Sequence, residues 1–249
     1  MDSISTVNTG LAHERPLRDR VALVTGGSRG IGRAIALKLA SLGASVAICG
    51  RDASALEKTA AELRGSGGAV LAAEADVRLA ANVQSLVAET EDKLGPISVL
   101  VNNAGIGSFG PAHEKSEEDW DRVLNTNLKS VFLVSKAVAP SMIRERRGDI
   151  INISSLAGKN TFAGGGIYCA SKWGLQGLSG CMAEDLRGYG IRVSVICPGS
   201  VATEFSGRGP KDPTKVLTAA DVAHAVAMVA TQGPQSFLSE IHLRPLIKP

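Results

Sequence analysis

The sequence predicts a doubly wound α/β fold, a single domain built on one seven-stranded parallel sheet flanked by helices. Three observations predict it. Short apolar runs alternate with longer stretches whose apolar residues recur at helical spacing, which is the pattern of βαβ units. The 249 residues suit one α/β domain, and no linker interrupts the alternation. Aromatic residues make up only 4% of the chain while hydrophobic residues make up 44%, so the core must come from Ala, Val, Leu, Ile and Gly, which suits helices packed closely on a sheet.

Val21–Thr25 reads as the first strand and runs into glycines. Ile31, Ile35, Leu39 and Leu42 then mark a helix that Gly43 can cap. Ser45–Cys49 is the second strand, followed by a helix on Leu56, Ala60 and Leu63 that ends at Gly65 to Gly68. Ala69–Ala73 is the third strand, and Val83, Leu86, Val87 and Leu94 lie on the helix that Gly95-Pro96 stops. Ile97–Val101 is the fourth strand. A long helix from about Ser116 to Arg146 follows, with Pro140 expected to bend it. Ile150–Ile153, a helix over Tyr168–Arg187, the strand Ile191–Cys197, a helix over Ala219–Thr231 and the strand Phe237–Leu243 complete the series. Right-handed crossovers wind such a chain into a doubly wound sheet. Residues 1–16 read as a disordered polar tail, 17–249 as the domain, and Ser206–Pro213 as a surface loop.

Composition excludes several classes. The net charge is only +3 and the basic residues are scattered, apart from Arg144, Arg146 and Arg147 at a helix end, so nucleic acid is not an expected partner. No apolar run approaches the roughly 20 residues of a membrane span, and residues 1–14 lack the apolar stretch of a signal peptide. Cys49, Cys169, Cys181 and Cys197 form no CxxC pair and no histidine clusters near them in sequence. Free thiols in a reducing, cytoplasmic setting and no metal are therefore expected.

The first strand runs into Thr25-Gly26-Gly27-Ser28-Arg29-Gly30-Ile31-Gly32. Glycines there let a backbone approach a pyrophosphate, and the helix that starts at once offers its amide donors. A dinucleotide is the expected ligand, with Gly26, Ser28, Arg29, Gly30, Ile31 and Gly32 as its contacts. A ribose-binding acid at the end of the second strand would mark NAD, but Gly50 stands at that place and Arg51 follows it. Arg51 and Arg29 suit the 2′-phosphate of NADP(H). Asp52 reads as the cap of the next helix. Asp76, with Val77 beside it, suits either the adenine amino group or a turn.

Tyr168 and Lys172 are four apart and share a helix face. An ammonium about 5 Å from a phenol favours the phenolate by roughly 3 kcal/mol at an effective dielectric near 20. The pair is common on helix surfaces. What singles it out is its place after a strand ending in Ser155, beside the Asn102-Asn103-Ala104-Gly105 turn, where ligands bind in open α/β sheets.

From about Leu17 to Ala230 the chain resembles the short-chain dehydrogenase/reductase family, a Rossmann-type fold. The matching residues are Thr25-Gly26-x3-Gly30-x-Gly32, Asp76, Asn102-Asn103-Ala104-Gly105, Asn127, Ser155, Tyr168-x3-Lys172 and Pro198-Gly199-x3-Thr203. The resemblance implies that Tyr168 protonates a carbonyl oxygen, that Ser155 hydrogen-bonds that oxygen, and that Lys172 holds the nicotinamide ribose and lowers the Tyr168 pKa. It implies that Asn127 keeps a water linking Lys172 to solvent. It also implies that Asn103, Ala104 and Gly105 floor the cofactor site and that Pro198, Gly199, Val201 and Thr203 meet the carboxamide. A homodimer or homotetramer is implied as well.

Substrate signals are thinner. The segment from Thr203 to about Thr218, with Gly207, Gly209, Pro210 and Pro213, is expected to form a short lid over a permissive pocket. Ala163, Gly164, Gly165 and Gly166 are expected to leave the mouth small-sided. A small-molecule ketone or aldehyde is the expected substrate. The general pattern is similar to 3-oxoacyl-[acyl-carrier-protein] reductases, and Arg146 and Arg147 would dock the carrier beside the mouth, although Tyr189 stands where the second basic site is expected. A non-catalytic NADP(H)-binding regulator is the third reading, and the intact Asn127, Ser155, Tyr168 and Lys172 set speaks against it.

Overall fold

The computed structural model describes residues 15–66, 68–203, 205 and 212–247. Residues 1–14 of the tail expected over 1–16, and part of the expected lid, including Gly207, Gly209 and Pro210, lie outside them, whereas Arg15 and Pro16 are described. Arg15 accepts the Arg18 N–H in a turn, and the Leu17 N–H reaches the Leu42 carbonyl, which ties the chain's entry to the end of the first helix.

The elements alternate as the pattern predicts. They are β1 (Val21–Thr25), α1 (Gly30–Ser41), β2 (Ser45–Gly50), α2 (Ala53–Arg64), β3 (Val70–Glu74), α3 (Ala80–Leu94) and β4 (Ile97–Asn102), then α4 (Glu117–Leu124), α5 (Ser130–Glu145), β5 (Gly148–Ile153), α6 (Gly166–Arg187), β6 (Ile191–Pro198), α7 (Ala219–Ala230) and β7 (Glu240–Leu243). Among the described residues, seven strands form one sheet in the order β3-β2-β1-β4-β5-β6-β7, and all pairs are parallel. The order reverses between β1 and β4, which opens a crevice at the carboxyl ends of those strands.

Strand alternation divides the core into two layers. Ala22 and Val24 of β1 face a layer with Ile35 and Leu39 of α1 and Val222 and Val226 of α7. Val21 and Leu23 face the opposite layer, with Leu86 of α3, Val134 and Met142 of α5 and Ala183 of α6. Both sides are covered, so β1 and β2 are buried and largely apolar along their length rather than alternating.

Two polar features sit inside this frame. Asn102 and Asn152 are Cα partners across β4 and β5, and both are buried. Asn102 Nδ2 donates to Asn152 Oδ1 (2.9 Å) and to Ser135 Oγ on α5 (3.1 Å), and Asn152 Nδ2 donates to Ser179 Oγ on α6 (2.9 Å). Asp149, 1% exposed, takes Arg20 at 2.8 Å and Arg192 at 2.7 Å.

The structure departs from the sequence reading in one long element. The helix expected from Ser116 to Arg146 is α4 and α5 joined by a π-helical turn, Asn125–Lys129. Pro140 is accommodated inside α5. The last strand is also shorter than Phe237–Leu243, because pairing with β6 begins only at Glu240.

Candidate active site

The crevice is a cleft of about 1410 Å³. Gly26, Ser28, Arg29, Gly30, Ile31, Gly32, Arg51, Asp76, Val77, Asn103, Ala104, Gly105, Ser155, Tyr168, Lys172, Pro198, Gly199, Val201 and Thr203 all line it. Asn127, the remaining candidate, is buried behind its wall.

At one end stands the β1–α1 turn. Gly26 has φ +64°, and a Cβ on Gly32 would stand 2.1 Å from the Gly26 carbonyl oxygen, so no larger residue allows this turn. Thr25 pins the turn to the end of β4: its Oγ1 accepts from the Asn103 N–H (3.0 Å) and the Ala104 N–H (3.1 Å), while Asn103 Nδ2 donates to the Thr25 carbonyl (3.0 Å). The first turn of α1 has neither a side-chain cap nor an acidic residue. A phosphate would therefore meet an open helix N-terminus there. Arg29 and Arg51 are exposed at the lip. These features fit a dinucleotide with an extra phosphate on its adenosine ribose.

Two carboxylates near this end differ from their simplest roles. Asp52 caps α2, as expected, by accepting the Ala55 N–H (3.0 Å), and its other oxygen takes Arg29 at 2.7 Å. Asp76 is held by Arg78, whose Nη2 donates to Oδ2 at 2.5 Å and whose Nε donates to both oxygens. This partner holds the Asp76 carboxyl below its ordinary range. A carboxylate so engaged has less capacity left for an adenine amino group, and the turn role is the one seen: Asp76 Oδ1 also accepts the Arg78 N–H (3.0 Å). Nothing in sequence distance alone singled out Arg78; its signal was a cation two residues after a turn-forming Asp.

At the other end, Ser155, Tyr168 and Lys172 come together. Ser155 follows β5 and lines the cleft; its Oγ accepts the Ala157 N–H (3.1 Å) and donates to the Pro198 carbonyl (3.5 Å). Lys172, 5% exposed, lies with Nζ 5.8 Å from the centre of the Tyr168 ring and donates to the Ile153 carbonyl (2.9 Å). Burial pushes the Lys172 ammonium down to about 8. Burial likewise pushes the Tyr168 phenol up, to about 12, and a hydrogen bond with Ser155 opposes that rise only in part. In the protein by itself, desolvation of the phenolate thus dominates at Tyr168.

Asn127 sits on the π-helical turn, a helix irregularity found often at functional sites. Its Oδ1 accepts the Ile106 N–H (2.8 Å), and its Nδ2 donates to the Ile106 carbonyl (2.9 Å) and to Ser171 Oγ (3.0 Å). Both side-chain donors are spent, so a water relay has only a remaining Oδ1 lone pair to use on this side chain.

Three other expectations change. The mouth is not small-sided: Phe109, Phe162 and Phe205 line it around Tyr168. Arg146 and Arg147 do not flank it, because they immediately precede Gly148 at the amino end of β5 while the cleft opens at the carboxyl ends. A six-residue strand, roughly 20 Å long, separates the two edges. Finally, a histidine does stand near a cysteine. Cys197 and His242 are partners across β6 and β7, with Glu240 Oε1 2.9 Å from His242 Nε2 and 3.5 Å from Cys197 Sγ. These three atoms could reach one metal ion, but the Lys159 ammonium already lies 2.7 Å from the same Glu240 oxygen.

A family model described as short chain dehydrogenase matches residues 20–213. A putative ketoacyl reductase of granaticin polyketide synthesis from Streptomyces violaceoruber is 43% identical over 190 residues, 76% of this chain and 70% of that protein. A 3-oxoacyl-[acyl-carrier-protein] reductase from Synechocystis is 40% identical over 191 residues, 76% of this chain and 77% of that protein. Among solved structures, a metagenomic short-chain oxidoreductase in complex with NADP superposes with a TM-score of 0.83 at 42% identity, over 94% of this chain and 100% of that one.

Proposed function

The chain belongs to the short chain dehydrogenase family, and from that premise we propose that it is an NADP(H)-dependent oxidoreductase that reduces a ketone or aldehyde to an alcohol, with Tyr168 as general acid. The observation that carries this reading is the grouping of Ser155, Tyr168 and Lys172 in the cleft that begins at the glycine turn and the Arg29–Arg51 lip. The similar structure with NADP supports the choice of cofactor.

The turn from Gly26 to Gly32 would hold the pyrophosphate, Arg29 and Arg51 the 2′-phosphate, and Lys172 the nicotinamide ribose. When bound, the cofactor supplies the hydride. This chain's own residues then manage charge and proton. Ser155 donates a hydrogen bond to the carbonyl oxygen and steadies the negative charge that grows there. Tyr168 is held protonated, so its O–H is available to that oxygen as it becomes basic. An alkoxide is a stronger base than a phenolate, so the transfer runs downhill even from a weakened phenol. The Lys172 ammonium, charged below a pH of about 8, offsets the phenolate left behind. Asn127 is a positioning residue: it ties Ile106 to Ser171, the neighbour of Lys172.

The test is cofactor oxidation on a panel of ketones, aldehydes and acetoacetyl thioesters, with NADPH and NADH side by side. Carbonyl-dependent oxidation of NADPH that disappears in Tyr168→Phe is expected. A clear preference for NADH would overturn the Arg29 and Arg51 assignment. A second reading, reduction of 3-oxoacyl groups on a carrier protein, is favoured by the two ketoacyl-reductase relatives. Thioesters turned over far faster than simple ketones would support it.

A further inference from the structure

Tyr168 is surrounded by phenylalanine. The Phe109 ring meets it edge-on with centroids 5.5 Å apart, Phe205 meets it at 5.8 Å, and Phe162 packs on Phe109 at 6.3 Å. The chain has only five phenylalanines, and three of them converge on this mouth from three separate loops, those after β4, β5 and β6. None of the three belongs to either core layer. Phe162 is 46% exposed and Phe205 44% exposed, so their faces are available to a ligand in the cleft they line.

The glycines around them are fitted to the rings. A Cβ on Gly107 would stand 2.6 Å from the Phe109 ring and 3.3 Å from the Phe205 ring, and one on Gly165 would stand 2.7 Å from the Phe162 ring. The loops carrying Phe109 and Phe162 are joined by the Gly110 N–H donating to the Gly164 carbonyl (2.9 Å). Arg122, a cation that also lines this side, is paired with Asp119 at 2.5 Å. The mouth therefore presents ring faces next to the reacting phenol rather than an anion site.

Resting on the reductase reading above, we infer that the carbonyl substrate carries an aromatic ring, seated against Phe109, Phe162 and Phe205 with its carbonyl at Tyr168. The carbonyl carbon gains a hydride and the oxygen gains the Tyr168 proton, giving the alcohol and NADP⁺. Aromatic pairs in edge or offset contact gain stabilisation beyond the area they bury, which a saturated ring of equal size does not.

The experiment compares 4-phenyl-2-butanone with 4-cyclohexyl-2-butanone, whose carbonyls are alike and conjugated in neither. With NADPH, kcat/KM is expected to favour the aromatic ketone about 3- to 10-fold. The ratio is expected to fall toward one in Phe162→Leu and in Gly165→Ala, whose Cβ would displace the Phe162 ring. NADPH fluorescence titration shows that each variant still folds and binds cofactor. Equal turnover of both ketones by the unaltered protein would overturn the inference and leave the reductase reading standing. A preference that survives in both variants would overturn the role of these rings. No turnover of either ketone or of acetoacetyl thioester by protein that binds NADPH would sink the reductase reading itself.

Discussion

Asp52 takes the Arg29 guanidinium at 2.7 Å with one oxygen while the other caps α2 through the Ala55 N–H. On the proposed cofactor assignment, an incoming 2′-phosphate would share Arg29 with this carboxylate and bear its negative charge nearby. Asp52→Asn keeps an equally good helix cap and removes the charge. We expect NADPH to bind about 2- to 5-fold more tightly, the scale of an exposed ion pair, with the melting temperature nearly unchanged. Fluorescence titration of NADPH against NADH decides it, and weaker NADPH binding would refute the competition.

Tyr168→Phe removes the proposed proton donor and leaves the ring packed between Phe109 and Phe205. The expected loss in kcat is about 10²- to 10⁴-fold, and Ser155→Ala should lose about 10²- to 10³-fold. NADPH affinity should change little in either. Retained turnover in Tyr168→Phe would mean that another group supplies the proton.

Lys172 gives a pH signature. Its folded value of about 8 lies below its ordinary 10.5, so the ammonium proposed to offset the phenolate is lost as pH rises through about 8. The reductive kcat/KM should therefore fall on that alkaline limb. The effect on stability has the opposite sign. Between about 8 and 10.5 the unfolded chain binds the proton and the folded chain does not, so this group adds stability as pH rises through that window. Below it, keeping the charge buried costs on the order of 3 kcal/mol. Lys172→Met should unfold at a higher denaturant concentration at pH 7, and its advantage should shrink by pH 10. Above pH 10, Tyr168 acts in the other direction, because its folded value is raised to about 12 and the protonated folded form loses stability as the unfolded phenol ionises. A Lys172→Met protein less stable than the parent at pH 7 would contradict the burial account.

Asp149 holds Arg20 and Arg192 in the interior. Asp149→Ala leaves the buried Arg20 guanidinium without its carboxylate. A loss of about 3–5 kcal/mol is expected in urea unfolding. A loss under 1 kcal/mol would show that the Ser98 carbonyl, which also accepts from Arg20 at 2.6 Å, is partner enough.

The strand series and the glycine turn were legible because they depend on local pattern: apolar runs, helical spacing, and a turn that tolerates no Cβ at Gly32. Arg78 on Asp76 was local too but had no distinctive spacing. Other features were hidden because they depend on long-range approach. Phe109, Phe162 and Phe205 are scattered in sequence and meet only when three strand ends are set side by side. Cys197 and His242 are joined by strand pairing. The π-helical turn at Asn127 looks like ordinary helix in the residue pattern. Spacing on a helix likewise gives the distance from Tyr168 to a cation but not the loss of water around both groups, so their burial was not legible.

The Asn102–Asn152 contact works as a registration mark at the sheet's centre. Sliding β5 by one residue along β4 would send the Asn152 amide to the other face, strip Ser179 on α6 of its donor, and strand two amides in a dry interior. Misaligned pairing of these two strands is therefore penalised before any cofactor is present. The strand-end turns that carry Ser155 and the Asn103–Gly105 floor inherit that alignment, so the two halves of the cleft are indexed to each other from within.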